Sequence, residues 1–163
     1  MLHLYFDASA LSKRYSQEPG ASLVDEAFRL VPAGQMMISA LGILEVASIL
    51  RRMRNDGRLP VVLYKQVVAE FNNEVITSGR FLTPEINNQI AISALSLISK
   101  HNLNASDVVI LRSAINTQNA LRKQGDDLML WTSDNRLVRA AVAEGITVFN
   151  PERDSITLLQ QLL

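Results

Sequence analysis

The stretch LHLYFDASAL at residues 2–11 decides the fold, because a short apolar run in it ends at a single carboxylate. The run Leu2–Phe6 has the length of a buried strand and is too short for a buried helix. Asp7 follows it directly, and a helical pattern begins soon afterwards. Further short runs that predict strands are Met36–Ser39, Arg80–Leu82, Leu128–Trp131 and Ile146–Phe149.

Helical patterns separate these strands along the whole chain. The alternation predicts one α/β domain over residues 1–163, with a mainly parallel sheet and helices on both faces. Thr83-Pro84-Glu85 predicts a helix start, since it places a hydroxyl at the cap and a proline at the first helical position. The predicted helices are Ser9–Tyr15, Ser22–Leu30, Leu41–Asn55, Pro60–Thr77, Thr83–Lys100, Asn104–Arg122 and Asn135–Ala143.

The composition excludes several classes of protein. The 163 residues include no cysteine, so a disulfide scaffold, a thiolate metal site and a cysteine nucleophile are ruled out. His3 and His101 are the only histidines and lack a ligand-like spacing, which argues against zinc. Sixteen basic and sixteen acidic residues balance, and no apolar run approaches the ~18 residues of a membrane-spanning helix. We therefore expect a cytoplasmic protein without a membrane partner.

Four carboxylates from distant parts of the chain are expected at one edge of the sheet. Asp7 and Asp134 follow strands, Asp107 opens a helix, and Glu45 lies early in the helix after the second strand. In parallel α/β sheets the functional crevice lies at the carboxyl ends of the strands, where the following helices also begin. The four side chains can therefore meet there.

Each aspartate has an alternative role as a helix cap, because its oxygens accept hydrogen bonds from free backbone N–H groups. Hydroxyl residues already precede two of them: Ser106 comes before Asp107, and Thr132 and Ser133 come before Asp134. We expect these hydroxyls to cap the helices instead. Glu45 lies among apolar residues, where a glutamate needs a partner or a function.

A cluster of carboxylates requires cations. Two carboxylates ~5 Å apart repel by about 3 kcal/mol at an effective dielectric constant of ~20. Several such pairs would exceed what a domain stable by only ~5–15 kcal/mol can tolerate. Oxygen ligands without cysteine or histidine select Mg²⁺ or Mn²⁺. Such sites activate water against phosphate groups, so the pattern favours metal-dependent phosphodiester hydrolysis.

The ordered motifs resemble a known family. YFDASAL at residues 5–11, with Lys13-Arg14-Tyr15 and Glu18-Pro19-Gly20, resembles the opening of PIN-domain ribonucleases, and most closely that of the VapC-like toxins of type II toxin–antitoxin systems. The resemblance continues through Glu45, Ala105-Ser106-Asp107, residues 132–137 and residues 145–151, in the family's order. The segment from Arg58 to Lys100 carries no matching motif.

The resemblance implies a three-layer α/β/α sandwich that cleaves RNA with Mg²⁺ or Mn²⁺ and leaves a 5′-phosphate and a 3′-hydroxyl. It implies that Ser9 and Thr132 support the site. Arg136 and Leu137 follow the last aspartate at positions where the family often places a further acid. Carried over by position, the metal ligands and catalytic residues are Asp7, Glu45, Asp107 and Asp134.

The resemblance also implies partners. A cognate antitoxin would insert a segment across the acidic crevice, and the family commonly forms homodimers. The amphipathic patterns Val61–Ile76 and Ile86–Ile98 are compatible with a dimer face and equally with packing inside the chain.

The basic residues admit two interpretations. Lys13 and Arg14 lie within two helical turns of Asp7, so they are candidates for contact with RNA and, about equally, for a solvated surface. The arginines at the end of the Glu45 helix are better explained as cations that complement the helix dipole. These are Arg51, Arg52, Arg54 and Arg58.

The motifs disfavour two other classes of protein and leave two alternative functions open. Asp7-Ala8-Ser9 lacks the second aspartate of haloacid-dehalogenase-like phosphatases, and the paired early acids and late lysine of a phosphorelay receiver are not evident. A catalytically silent PIN-like module that binds RNA or protein, and a stand-alone PIN nuclease without an antitoxin, stay open.

Overall fold

A five-stranded parallel sheet forms the centre of the computed structural model, which describes residues 1–163. The strand order is β3-β2-β1-β4-β5. The chain therefore moves outward from β1 to one edge and then returns to the other side of β1, so the topological switch point lies between β1 and β4. The strands are β1 Leu2–Phe6, β2 Met36–Met37, β3 Phe81–Leu82, β4 Asp127–Trp131 and β5 Thr147–Phe149.

Alternate residues of each strand face opposite sides of the sheet. In β1, Leu4 and Phe6 pack into one apolar core and Tyr5 packs into the other. The same alternation in β4 places Trp131 in the first core and Leu130 in the second. Both faces are covered, which explains why the strands read as nearly continuous apolar runs.

Helices cover both faces and complete a three-layer α/β/α sandwich. Residues of α1 to α5 and α10 pack into the first core, and residues of α7 to α9 pack into the second. No helix combines the length and apolar character that crossing a bilayer requires. The helices are α1 Ala8–Leu11, α2 Lys13–Ser16, α3 Ala21–Leu30, α4 Ala40–Asn55, α5 Val61–Phe71, a π-helical segment Asn72–Thr77, α6 Asn88–Ser93, α7 Leu95–His101, α8 Ala105–Arg122, α9 Asn135–Ala143 and α10 Ile156–Leu162.

The predicted helix start at Thr83-Pro84-Glu85 is wrong. The Asn87 side chain accepts a hydrogen bond from the Ile90 N–H at 3.0 Å and caps the helix there, so α6 begins five residues later than Thr83. The predicted helix also divides in two near Ala94.

Two other predicted helices are divided, and one helix was not predicted. The segment Ser9–Tyr15 forms the two short helices α1 and α2 on either side of Ser12. The segment Pro60–Thr77 changes from α-helix to π-helix at Asn72. The C-terminal helix α10 follows Ser155, whose hydroxyl accepts from the Leu158 N–H at 3.2 Å.

A tight contact at Gly20 joins the start of α3 to the loop after β5. Gly20 has φ +94°, and a Cβ there would lie 2.6 Å from the Pro151 carbonyl oxygen. Backbone on both sides of the contact leaves no flexible group that could move aside. Gly57 has a similar φ of +81° with open space around it.

We expect Gly20→Ala to lower the free energy of unfolding by about 3 kcal/mol, the sum of left-handed strain and steric overlap. Gly57→Ala is the matched control, since it adds the strain alone and should cost about 1 kcal/mol. Urea denaturation of both variants measures the difference. Equal losses would show that the contact with Pro151 relaxes freely.

Candidate active site

A cavity of about 330 Å³ opens where Asp7 leaves β1 and Asp134 follows β4. The four carboxylates expected at this edge of the sheet all line it. They come from four separate segments of the chain: Asp7, Glu45, Asp107 and Asp134. The switch point of the sheet thus coincides with the acidic cavity.

Asp7 is the most buried of these carboxylates, with 5% of the residue exposed. Its backbone N–H donates to the Trp131 carbonyl at 2.8 Å, which extends the β1–β4 pairing past the strand end. Its Oδ2 accepts from the Ser9 and Thr132 hydroxyls at 2.6 and 3.0 Å. Burial raises the pKa of Asp7 above its usual value, and these hydrogen bonds oppose the rise.

The two hydroxyls also connect Asp7 to the loop that carries Asp134. The Ser9 Oγ accepts from the Ser133 N–H at 2.9 Å. The Thr132 Oγ1 accepts from the Asp134 N–H at 3.1 Å. Both loops are therefore held in one arrangement by side chains that touch Asp7.

Asp134 caps α9 itself, so the expectation that Thr132 or Ser133 would cap this helix is wrong. The Asp134 Oδ1 accepts from the Arg136 and Leu137 N–H groups at 2.7 and 3.3 Å. The Thr132 hydroxyl donates to Asp7 and accepts from the Asp134 N–H, so its oxygen does not serve the Arg136 and Leu137 N–H groups. Capping uses the Oδ1 of Asp134, and the Oδ2 accepts no hydrogen bond from the α9 N–H groups.

Asp107 lies in the first turn of α8, which Asn104 caps by accepting from the Asp107 N–H at 2.9 Å. The expected cap, Ser106, instead donates its hydroxyl to the Asn104 Oδ1 at 3.0 Å. The Asp107 Oδ2 is buried without a hydrogen-bond partner. Burial, followed by the charges of Asp134 and Asp7, raises the pKa of Asp107 to about 6.

Glu45 lies on a helix that is more exposed than expected, since the neighbouring Leu44 is 65% exposed. Partial burial raises the pKa of the Glu45 carboxyl, and the Arg52 charge lowers it. Ser48 and Arg52 line the same cavity. Residues three and seven positions after Glu45 lie on one face of a helix, and this spacing was the signal that could have identified Arg52.

Lys13 and Arg14 have partners within the protein. The Lys13 side chain is 4% exposed and pairs with Glu152. The Arg14 Nε and Nη2 donate to the two Glu74 oxygens at 2.8 and 2.6 Å, and the guanidinium lies 4.3 Å from the Phe28 ring centroid. Contact of either residue with RNA would require these interactions to break.

The ionisable groups of the cavity are the four carboxylates and Arg52, with no histidine among its lining residues. No group of three or more His, Asp or Glu side chains is arranged to hold a metal ion as it stands. The donor atoms nevertheless suit a hard cation, which prefers oxygen ligands. The unpartnered Oδ2 of Asp107 is one such donor. The oxygen donors of the cavity fit the ligand preference of Mg²⁺ or Mn²⁺.

Comparisons with known proteins identify the fold. A family model described as PIN domain matches residues 4–143. The structure of FitAB bound to IR36 DNA fragment is similar, with a TM-score of 0.65 and 16% identity over 93% of this chain and 97% of that chain. PAE2754 from Pyrobaculum aerophilum gives a TM-score of 0.63 and 19% identity over 99% and 95% of the two chains.

FitAcB from Neisseria gonorrhoeae gives a TM-score of 0.56 and 21% identity over 93% of this chain and 99% of that chain. No curated protein sequence matches the chain. At these low identities the structural likeness concerns the fold.

Proposed function

Because the chain belongs to the PIN domain family, we propose that it is a Mg²⁺- or Mn²⁺-dependent endoribonuclease. We further propose that it is the toxin of a toxin–antitoxin pair and resembles the VapC-like toxins. Nuclease activity is general in the family. The dependence on metal, the RNA substrate and the toxin role are the finer parts of the proposal.

One observation carries the proposal: four carboxylates from distant segments line one cavity at the switch point of the sheet. Stability alone does not account for this arrangement. Burial and like charges raise the pKa of Asp107 to about 6, so the folded protein opposes ionisation there. Perturbed carboxylates that gather in a cleft are typical of functional sites.

In the proposed mechanism, the residues that would hold the cation and orient the attacking water are Asp7, Glu45, Asp107 and Asp134. A divalent cation bound there supplies water activation and neutralises charge on the phosphate. Ser9 and Thr132 fix Asp7 through their hydroxyl hydrogen bonds. Water would attack in line with the scissile bond: its oxygen bonds to phosphorus and gives up one proton to solvent, the bond to the 3′-oxygen breaks, and that oxygen takes up one proton, which leaves a 5′-phosphate and a 3′-hydroxyl.

We expect the purified protein to cleave single-stranded RNA with Mn²⁺ or Mg²⁺ and to stop on addition of EDTA. Asp7→Asn should lower the rate at least 100-fold, because it removes a charged oxygen donor at the centre of the site. Glu85→Gln is the matched control, since Glu85 is exposed and lies outside the cavity. Product analysis by gel electrophoresis measures each rate.

Cleavage that survives Asp7→Asn would reject the proposed site. Absence of cleavage on every RNA tested would favour the alternative, a catalytically silent PIN-like module that binds RNA or protein.

Arg52 is the candidate contact for the RNA backbone outside the metal-binding carboxylates. It lines the cavity and lies about 10 Å beyond Glu45 along α4, at 1.5 Å per residue. An arginine at that distance can pair with a phosphate that flanks the scissile one. Arg51 is the neighbouring exposed arginine, and its guanidinium lies 6.0 Å from the Tyr64 ring centroid.

We expect Arg52→Gln to raise the KM for RNA by about three- to tenfold and change kcat less, because one phosphate contact is lost. The slope of log binding constant against log salt should fall by about 0.7. Arg51→Gln, which removes the same charge outside the cavity, should leave both quantities unchanged. An equal effect of both variants would mean that only the net charge matters.

We propose that the protein acts in the cytoplasm together with a cognate antitoxin that covers its acidic cavity. The resemblance to VapC-like toxins supports this proposal, and a stand-alone nuclease is the alternative. A short adjacent gene that encodes a DNA-binding N-terminus and a disordered tail would support the pair. The absence of such a gene would favour the stand-alone nuclease.

We propose that the protein forms a homodimer through α5 and the α6–α7 segment. These elements expose large apolar side chains that a monomer leaves in water. Light scattering at micromolar concentration should give twice the chain mass of 18.1 kDa, and a mass near 18.1 kDa would contradict the proposal. The exposed side chains are Val61, Val62, Leu63, Ile92 and Leu95.

A further inference from the structure

Arg136 lies between two carboxylates of the acidic cavity. Its Nη2 is 3.7 Å from the Asp134 Oδ2 and 4.0 Å from the Asp107 Oδ2. Asp107 belongs to α8 and Asp134 caps α9, so one guanidinium links the ends of the two helices. Both distances exceed the 2.7–3.2 Å typical of a hydrogen bond. The arginine therefore supplies charge without occupying the oxygen lone pairs.

Stabilisation of helix α9 does not explain why an arginine occupies position 136. Arg136 is the second residue of α9, where a cation opposes the positive end of the helix dipole. Its backbone N–H, which any residue except proline would supply, makes the hydrogen bond to the Asp134 Oδ1 at 2.7 Å. What the side chain adds is a positive charge beside the two outer carboxylate oxygens.

The exposure of the three side chains indicates which of them can move. The Arg136 side chain is 52% exposed, against 13% for Asp107 and 31% for Asp134. The guanidinium already reaches solvent and can move further into it, whereas the Asp107 carboxylate is held mostly out of solvent. Asp107 keeps an oxygen free of hydrogen bonds while the arginine is in place.

We propose that Arg136 is an internal counterion that neutralises the Asp107–Asp134 pair in the resting site and must swing away when a divalent cation binds there. This inference rests on the proposed function, since it assumes that the cation binds these carboxylates. It makes Arg136 a positioning residue that sets the affinity for the cation. RNA phosphate near the cavity offers the displaced guanidinium a second anionic partner, so cation and substrate should favour each other's binding.

The test is Mn²⁺ binding to the RNA-free protein, measured by the electron paramagnetic resonance signal of free Mn²⁺. Arg136→Gln should bind Mn²⁺ about tenfold more tightly than the original chain, because a competing positive charge is gone. Arg136→Lys, which keeps the charge, should bind less tightly than Arg136→Gln. Arg139→Gln is the matched control: it removes an exposed arginine one turn further along α9 and should change the affinity less than twofold.

Asp134→Asn separates failure of this inference from failure of the proposed function. If this variant loses Mn²⁺ binding while Arg136→Gln binds as the original chain does, the cation site stands and the counterion role is overturned. If Asp134→Asn binds Mn²⁺ normally, or if no variant binds at millimolar concentration, the proposed site and this inference both fail. Circular dichroism of each variant confirms that the fold is retained.

Discussion

Repulsion among carboxylates gathered at one edge of the sheet is the constraint on which the site depends. Two pairs of neighbouring carboxylates would already lower the stability by several kcal/mol through charge repulsion. This is a large share of a domain's total free energy of unfolding. The structure meets this cost locally. Hydroxyl donors serve Asp7, helix N–H groups serve Asp134, and the charges of Arg52 and Arg136 oppose the raised pKa values of Glu45 and Asp107.

These stabilising interactions differ in how easily they can break. The hydroxyls of Ser9 and Thr132 belong to a buried network that joins two loops, so Asp7 keeps one position. The arginines are exposed and interact over longer distances. A site built in this way is rigid at its centre and adjustable at its rim, which suits chemistry that needs both fixed ligands and a variable charge.

The sheet could be predicted because its strands are buried on both faces, and short apolar runs such as Leu128–Trp131 have few other interpretations. The positions of the carboxylates followed from the strand ends.

Capping was harder to predict: Asn87 competes with Thr83, and Asp134 competes with Thr132, for free N–H groups. The outcome depends on contacts made elsewhere, as with Thr132, whose hydroxyl is held by a residue 125 positions away. The pairing of Lys13 with Glu152 is equally remote in sequence. Arg52, in contrast, could have been placed at the cavity from the sequence, because it lies seven residues after Glu45 on the same face of α4.

The pairing of β1 with β4 limits how early the protein can fold while it is being synthesised. Its five residues align with Asp127–Trp131, and β1 is the central strand of the sheet. A nascent chain that has emerged only as far as α8 lacks the neighbour that completes the middle of the sheet, and it also lacks Asp134. Assembly of the acidic centre must therefore wait until the ribosome has made most of the polypeptide, since contacts so distant in sequence form late. The acidic cavity is therefore completed only after Asp134, four-fifths of the way along the chain, has been made.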